Sequence, residues 1–178
     1  FFTDIKLKNK TVTVHCANSG SMMGLLNKNS KAWITESINK KRKLKYTLQI
    51  LDDRGSLVGV NTHLTNKIVK DALEKNLIKP FSKRVKIKSE QVFGSNTRFD
   101  FFLEDGKIKS FLEVKNVTLK RRDKTAEFPD SVTARGTKHL NELINAQKKG
   151  FKAYLLFVIQ RNDCDKFEIA KDIDPEYA

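Results

Sequence analysis

Three charged residues, Asp100, Glu113 and Lys115, lie inside two apolar segments that otherwise have the composition of buried β-strands. The segments are "RFDFFL" (98–103) and "FLEVKNVTL" (111–119), and an Asp-Gly pair between them predicts a tight turn. Two carboxylates are ligands that Mg²⁺ accepts in proteins, and a neighbouring ammonium group can orient or deprotonate an attacking water or stabilise charge that develops on phosphorus. This chemistry would hydrolyse a phosphodiester with the metal as Lewis acid.

The alternation of side chains along a strand predicts which residues share a face. It places Glu113 and Lys115 together, with Leu112, Val114 and Asn116 on the opposite face. In the first strand it places Phe99, Phe101 and Leu103 on one face and Arg98, Asp100 and Phe102 on the other. Because 31% of the chain is charged, the same spacing also fits two solvated strand faces joined by a cross-strand ion pair. The apolar flanks favour the catalytic interpretation, since a charge close to a core needs a partner or a metal.

The elements that would position these residues change in kind along the chain. Up to about residue 60, four short β-like runs alternate with Gly, Asn and Ser turns, which predicts a small β-barrel or sandwich. The runs are "TVTVHC", "KAWITES", "KLKYTLQIL" and "LVGV". From Thr65, a plausible N-cap, the period becomes helical, and Pro80 should end the helix. Its predicted inward face comprises Ile68, Val69, Ala72, Leu73 and Leu77.

The second half of the sequence predicts an α/β domain with a mixed central sheet. A strand-like segment "RVKIKSEQVF" precedes the two charged strands, and a polar loop over 120–130 follows them. A helix should come next, with Leu140, Leu143 and Ile144 inward and Gly150 as C-cap. The apolar run "AYLLFVIQ" then predicts a buried strand, so that strand, helix and strand form a parallel crossover. We expect an OB-like β domain at 1–63 and the α/β domain at 64–178.

The charge balance points to a polyanionic partner. Lys and Arg total 35 against 21 Asp and Glu, a formal net charge of +14, which favours nucleic acid or an anionic membrane surface. A lysine-rich solvated surface is the alternative. No apolar run of about 18 residues occurs, so no membrane span is expected. Cys16 and Cys164 lack metal or disulfide spacing, which favours a reducing, cytoplasmic location.

Further candidate residues lie around the charged strands and in the β domain. Glu90 is a possible additional metal ligand, although an exposed glutamate is the simpler interpretation. Lys138, His139, Gln160 and Arg161 are possible substrate contacts. In the β domain a basic loop is flanked by two aromatic residues, a combination that suits phosphate contacts and base stacking, or else a solvated loop beside two core aromatics. The loop and its flanks comprise Lys40, Lys41, Arg42, Lys43, Lys45, Trp33 and Tyr46.

Ordered blocks along nearly the whole chain resemble the sugar fermentation stimulation protein family (SfsA), with a core similar to the PD-(D/E)xK nucleases. The blocks are "VTVHCANSGSMMGLL", "NKKRKLKYTL", "VGVNTHLTNKIVKDAL", "EQVFGSNTRFDFFL", "FLEVKNVTL", "FPDSVTARGTKHLNEL" and "IDPEYA". Ala17 stands where that family usually has proline, and Ser131 where it usually has alanine. The literal Pro129-Asp130 pair follows Glu113 and is in the wrong order to be the motif. The family also usually continues beyond the position of Ala178, so we expect the chain to lack a further helix and strand.

The resemblance implies an N-terminal OB-like domain, a nuclease-like domain, sequence-independent DNA binding and a regulatory link to maltose and other sugar metabolism. It also implies that Asp100, Glu113 and Lys115 occupy metal and catalytic positions, with Mg²⁺ or Mn²⁺ as cofactor. Three functions therefore remain open: a metal-dependent DNA phosphodiesterase, a non-catalytic DNA-binding regulator, and an RNA-binding or RNA-processing module. The sequence carries no signal for an oligomeric state.

Overall fold

The first 60 residues fold into a five-stranded sheet that encloses its own small core. The computed structural model describes residues 1–94 and 97–178. The strands are β1 (Phe2–Leu7), β2 (Lys10–His15), β3 (Ala32–Glu36), β4 (Tyr46–Asp53) and β5 (Ser56–Gly59). Their order in the sheet is β1-β2-β4-β3, with β5 paired to β4. Buried aliphatic side chains such as Val14, Leu48 and Val58 fill the interior. Four of the five were predicted from the sequence, and β1 was not.

Helix α1 (Thr62–Glu74) begins four residues earlier than predicted. The N-cap is Asn61, whose side chain accepts a hydrogen bond from the amide of His63, as asparagine commonly does at this position. Thr65 is instead a buried residue inside the helix. The helix ends at Glu74, well before Pro80, because Lys75 already adopts a non-helical C-cap conformation.

Fewer apolar residues of α1 are buried than the sequence predicted. Val69 and Leu73 are 2% and 1% exposed, whereas Ile68 is half exposed and Leu77 lies beyond the helix and is largely exposed. The inward prediction is therefore wrong for Ile68 and Leu77. Burial of each aliphatic side chain in this face stabilises the fold by about 1.5–3 kcal/mol.

A four-stranded mixed sheet forms the centre of the second domain. The elements of this domain are β6 (Lys86–Phe93), β7 (Thr97–Asp105), β8 (Ile108–Val117), α2 (Ala134–Lys148) and β11 (Lys152–Ile159). The strand order is β11-β8-β7-β6, with β11 parallel to β8 and the other pairs antiparallel. Helix α1 covers one face of the sheet and helix α2 the other. The predicted parallel crossover from β8 through α2 to β11 is confirmed.

The segment predicted as a polar loop, 120–130, contains two strands instead. They are β9 (Leu119–Arg122) and β10 (Thr125–Phe128), and β10 also pairs in parallel with β12 (Lys166–Ile169). The prediction of a loop was wrong because the charged residues of this segment form ion pairs with one another within the small sheet. The side chain of Glu127 is fully buried and accepts hydrogen bonds from Arg121 and Arg122.

Helix α2 has Thr133 as its N-cap and buries Leu143 and Ala146 against the phenylalanine-rich side of the sheet. Ile144 was predicted to point inward but is half exposed, because the buried stripe runs through Gly136, His139, Leu143 and Ala146. Lys149 is the C-cap, and Gly150 follows it with φ +87°, a left-handed conformation that favours glycine. Neither helix of the described residues is long and apolar enough to cross a membrane.

The two domains are joined by hydrogen bonds between β5 and the segment after β11. The amide of Gly59 donates to the carbonyl of Gln160 at 2.8 Å, and the amide of Leu57 donates to the side chain of Asn162 at 3.0 Å. The side chain of Arg161 reaches across to Asp53 at the end of β4. These contacts bring the β domain against the ends of β8 and β11, because the amide of Gln160 also donates to the carbonyl of Val117.

Candidate active site

The strands β7 and β8 separate at Asp100 and Glu113. Their ladder runs from Asp105 paired with Ile108 to Phe101 paired with Leu112. Beyond that point Asp100 Oδ2 accepts a hydrogen bond from the amide of Val114 at 2.7 Å, so the carboxylate lies between the two strands. Asp100 Oδ1 accepts from the side-chain amide of Asn66 on α1 at 2.8 Å. The aspartate is thus fixed by one contact from the sheet and one from a helix.

The separation of the strands also corrects the predicted faces of β7. Phe101 and Leu103 pack on the α1 side of the sheet, but Phe99 packs on the α2 side with Phe102 and Phe111. The simple alternation therefore fails at Asp100. On β8 the prediction is confirmed, because Glu113 and Lys115 share a face while Leu112 and Val114 lie in the α1-side core.

Glu113 is the most enclosed charged residue of this site, with 4% of its surface exposed. Its Oε1 accepts a hydrogen bond from Lys115 Nζ at 2.8 Å and contacts His139 Nδ1. Its Oε2 is buried and has no hydrogen-bond partner among the described residues. Buried carboxylate oxygens are rarely left without a partner in folded proteins, so Oε2 is the atom of this site with free coordinating capacity.

The two carboxyl groups differ in their affinity for protons. Burial, together with the nearby charge of Glu113, raises the pKa of Asp100. Burial also acts against the charged form of Glu113, but hydrogen bonds and charges from His139 and Lys115 outweigh it and hold the pKa of Glu113 below its ordinary value. Glu113 therefore stays ionised more readily than Asp100, and a cation near both would favour ionisation of Asp100 as well.

Asp100, Glu113 and Lys115 line one cleft of about 800 Å³ together with Lys138, His139 and Glu90. Two further arginines, Arg98 and Arg135, also line it and were not identified as site residues from the sequence. Arg135 could have been found from its place in the first turn of a helix that follows the charged strands. The cleft therefore has carboxylates at its floor and cations around it.

Two of the predicted residues, His139 and Glu90, lie at the cleft with contacts that the sequence did not predict. His139 lines the cleft but is buried and contacts Glu113, so it also supports the carboxylate. Glu90 is at the rim, 3.5 Å from Arg98, with a largely exposed side chain. Among residues 1–94 and 97–178, no three His, Cys, Asp or Glu side chains converge as a metal site, so Glu90 does not complete such a set with Asp100 and Glu113.

Gln160 and Arg161 lie behind the site and not in the cleft. Gln160 Nε2 donates to Asn116 Oδ1 at 2.5 Å and to Thr65 Oγ1 at 2.9 Å, which links β8 to α1. The guanidinium of Arg161 is 1% exposed and is occupied by Asp53, Asp163 and the carbonyl of Thr118. The prediction of Arg161 as a substrate contact is wrong, because no face of its guanidinium is available.

The basic loop of the β domain lies outside the cleft. Lys40, Lys41 and Lys43 are exposed, while Arg42 donates to Thr47 Oγ1 at 2.8 Å. Lys45 pairs with Glu36 at 3.1 Å and stands 5.5 Å from the ring centre of Tyr46. Trp33 is 43% exposed. The loop therefore presents cations and one accessible aromatic ring on a surface separate from the carboxylates.

A loop of the β domain, residues 17–22, forms part of the cleft wall and is fixed at both ends. The carbonyl of Ala17 accepts from Thr62 Oγ1 at 2.8 Å. Ser21 Oγ donates to the carbonyl of Asp130 at 2.6 Å, and the amide of Met22 donates to its carboxylate at 3.1 Å. Ser19, between these anchors, lines the cleft. The β domain therefore contributes directly to the site.

Replacing Gly20 by alanine should loosen this loop. A Cβ there would lie 2.7 Å from Asp130 Oδ2 and 3.2 Å from Asn18 Oδ1, and overpacking of this kind costs about 1–3 kcal/mol. We expect a lower midpoint of thermal unfolding for Gly20→Ala, and a smaller decrease when Asp130→Ala is also present, because the closest atoms are then removed. Ser19→Ala, which adds no atom, is the control. Equal effects of Gly20→Ala in both backgrounds would contradict this docking geometry.

The fold defines a two-domain protein in which a small β domain of the OB type precedes a mixed α/β domain. Comparison with known families gives the same division: residues 1–60 match the SfsA N-terminal OB domain, and residues 63–178 match the sugar fermentation stimulation protein RE domain. The chain belongs to the sugar fermentation stimulation protein family. The resemblance found in the sequence and the predicted fold class are both confirmed.

Relatives of this chain align along nearly its full length. A sugar fermentation stimulation protein homolog from Pelagibacter ubique is 54% identical over 177 residues, covering 99% of this chain and 76% of that protein. One from Ruegeria sp. is 44% identical over 181 residues, covering 100% and 78%. The solved structure of Pyrococcus furiosus SfsA in complex with Ca²⁺ superposes with a TM-score of 0.90 at 26% identity, covering 99% of this chain and 74% of that one.

Proposed function

We propose that this protein binds DNA without sequence preference and hydrolyses its phosphodiester bonds with Mg²⁺ or Mn²⁺. The observation that carries the proposal is Glu113 Oε2, a buried carboxylate oxygen without a partner among the described residues. It lies in a cleft that also contains Asp100 and Lys115. An acidic pair next to an ammonium group, at the base of a cleft rimmed by cations, suits a negatively charged phosphodiester substrate.

The residues fit a divalent cation. Mg²⁺ is commonly held by one or two carboxylates, with water and substrate phosphate supplying its other ligands, so Asp100 and Glu113 suffice without Glu90. The raised pKa of Asp100 also supports a bound cation. A positive charge between two carboxyl groups in a partly buried cleft would reduce their mutual repulsion and favour their ionised forms. The structure of the Pyrococcus furiosus relative was determined in complex with Ca²⁺, which supports the proposal that a divalent cation binds to this chain. When bound, the cation supplies Lewis-acid activation of the phosphate and of water.

The chain's own residues supply orientation and charge. Lys115, held at 2.8 Å from Glu113, is placed to position the attacking water and to stabilise negative charge in the transition state. His139 holds Glu113 from the other side. Arg98, Arg135 and Lys138 line the same cleft, where cations suit contacts with the phosphates that flank the reacting bond.

DNA binding also draws on the charge of the whole chain. The formal net charge is +14, and the exposed basic loop of the β domain extends the cationic surface beyond the cleft. Binding should weaken steeply as salt is added, because neutralised phosphates release counterions.

The decisive experiment measures cleavage and binding separately. Supercoiled, linear and single-stranded DNA and a matched RNA are incubated with the protein in Mg²⁺, Mn²⁺ or EDTA, beside Asp100→Asn. We expect nicking that requires metal and is lost in Asp100→Asn, while both proteins bind DNA with similar affinity. Cleavage of RNA alone would assign the substrate to RNA. Binding by both proteins without cleavage under any condition would refute hydrolysis.

A non-catalytic DNA-binding regulator is the second candidate, and one observation favours it. Glu113 Oε1 is already paired with Lys115 and in contact with His139, an arrangement that can persist in a binding protein without a metal ion. In that case the basic surface alone would account for DNA binding. The substitution Asp100→Asn would leave DNA affinity unchanged, and neither protein would cleave DNA.

A further inference from the structure

Two buried polar groups beside helix α2 lack hydrogen-bond partners among the described residues. One is Glu113 Oε2 and the other is the hydroxyl of Tyr177. Tyr177 is 5% exposed, so its hydroxyl cannot be satisfied by bulk water. Burial of a hydroxyl without a partner costs free energy, and one of these groups is a donor while the other accepts only.

Packing places the hydroxyl end of Tyr177 beside the helix that supports Glu113. A Cβ built on Gly136 would lie 3.0 Å from Tyr177 Cε2, the ring carbon next to the one that carries the hydroxyl. Gly136 and His139 lie one turn apart on the buried face of α2, and His139 contacts Glu113. The ring itself is held against Phe128, with centroids 5.3 Å apart. Burial, together with the negative charges of Glu113 and Asp174, raises the pKa of Tyr177, so the hydroxyl keeps its proton and remains a donor.

We propose that Tyr177 is a positioning residue whose hydroxyl donates to Glu113 Oε2 through one ordered water. A bridging water in a polar interior needs at least two partners, and these two groups supply them. Oε2 has two lone pairs, so one can accept this hydrogen bond while the other remains for a cation. Glu113 would then be oriented by three side chains: Lys115 and His139 on Oε1, and Tyr177 on Oε2. The catalytic consequence rests on the proposed function, but the hydrogen bond itself does not.

The substitution Tyr177→Phe tests the proposal because it removes only the hydroxyl and keeps the ring packing. Removal of an orphaned hydroxyl should leave stability unchanged or increase it, since its burial is unfavourable. Removal of a hydroxyl that serves Glu113 should destabilise the protein. We expect the unfolding equilibrium constant of the metal-free full chain in EDTA to rise about fivefold. An unchanged or smaller constant would overturn the proposal.

Two further measurements show whether the effect passes through Glu113. In a Glu113→Gln background, Tyr177→Phe should have a clearly different effect on unfolding, because the charged acceptor is gone; equal effects in both backgrounds would overturn the proposal. In otherwise unchanged protein, Tyr177→Phe should weaken Mn²⁺ binding about tenfold, the usual scale for a residue that orients a ligand. Tyr154→Phe, on the α1 side of the sheet, makes the same chemical change away from the site and should not alter Mn²⁺ affinity. If the unchanged protein binds no Mn²⁺, the proposed function fails, while the unfolding measurements still decide the role of Tyr177.

Discussion

The substitution Lys115→Met should lower the rate of DNA hydrolysis at least about 100-fold while DNA affinity stays within about twofold. A preorganised cation that acts on charge developing in the transition state typically contributes a factor of about 10²–10³ to the rate. Lys115 is held by Glu113 with 12% of its side chain exposed, so its ammonium acts in a partly desolvated setting where charge interactions are strong. Binding depends much less on it, because Lys115 is one of 35 basic residues.

The measurement is single-turnover cleavage of a labelled duplex, with affinity determined separately in Ca²⁺ or EDTA. The matched control is Lys109→Met, which makes the same change at an exposed position of β8 outside the cleft. That variant should cleave at the rate of the unchanged protein. If Lys115→Met and Lys109→Met reduce cleavage equally, or if Lys115→Met loses activity only in proportion to binding, Lys115 has no role in the chemical step.

The substitution Arg161→Met should destabilise the whole chain by about 3–5 kcal/mol, the range expected when one partner of a buried ion pair is removed. For a protein of this size the thermal midpoint would fall by roughly 10 °C. Arg161 Nη2 lies 2.9 Å from Asp53, and Nε lies 2.9 Å from Asp163. The substitution removes the cation that pairs with the carboxylates of Asp53 and Asp163, which are both poorly exposed. It also removes the ion pair between the domains.

The effect of Arg161→Met should also depend on pH in a defined direction. Hydrogen bonds from Arg161 and Lys120 hold the pKa of Asp163 well below its ordinary value of 3.8. A carboxyl group with a lowered pKa in the folded state stabilises the protein above its unfolded pKa, and this stabilisation is lost as the pH falls through the folded pKa. The difference in unfolding free energy between the two proteins should therefore be complete at pH 7 and should shrink below about pH 4.

Chemical denaturation between pH 3 and pH 7 measures both effects. The control is Lys75→Met, which breaks an exposed pair with Asp71 on α1 and should cost less than about 0.5 kcal/mol. A loss of under 1 kcal/mol for Arg161→Met at pH 7 would show that the two domains do not depend on this ion pair.

The residues of the candidate site could be identified from the sequence, but their geometry could not. Alternation along β8 correctly placed Glu113 and Lys115 on one face, because side-chain direction in a regular strand is a local property. The same rule failed for Phe99, since the strands separate at Asp100 and the amide of Val114 is bonded by a side chain instead of a neighbouring strand. Where the ladder ends depends on contacts with α1, and no local pattern encodes those contacts.

By itself, the sequence determined the order of a small β domain and an α/β domain, most of the strands, both helices, the parallel crossover and the group of Asp100, Glu113 and Lys115. These features follow from period, turn residues and charge within short windows. Only the tertiary structure placed Arg161 between the domains, bound His139 to Glu113, brought the 17–22 loop to Asp130 and moved the buried stripe of α2 away from Ile144. Each of these depends on residues far apart in the chain, such as Asp53 and Arg161, which are 108 positions apart. Such contacts form only once the folded domains have brought these residues together.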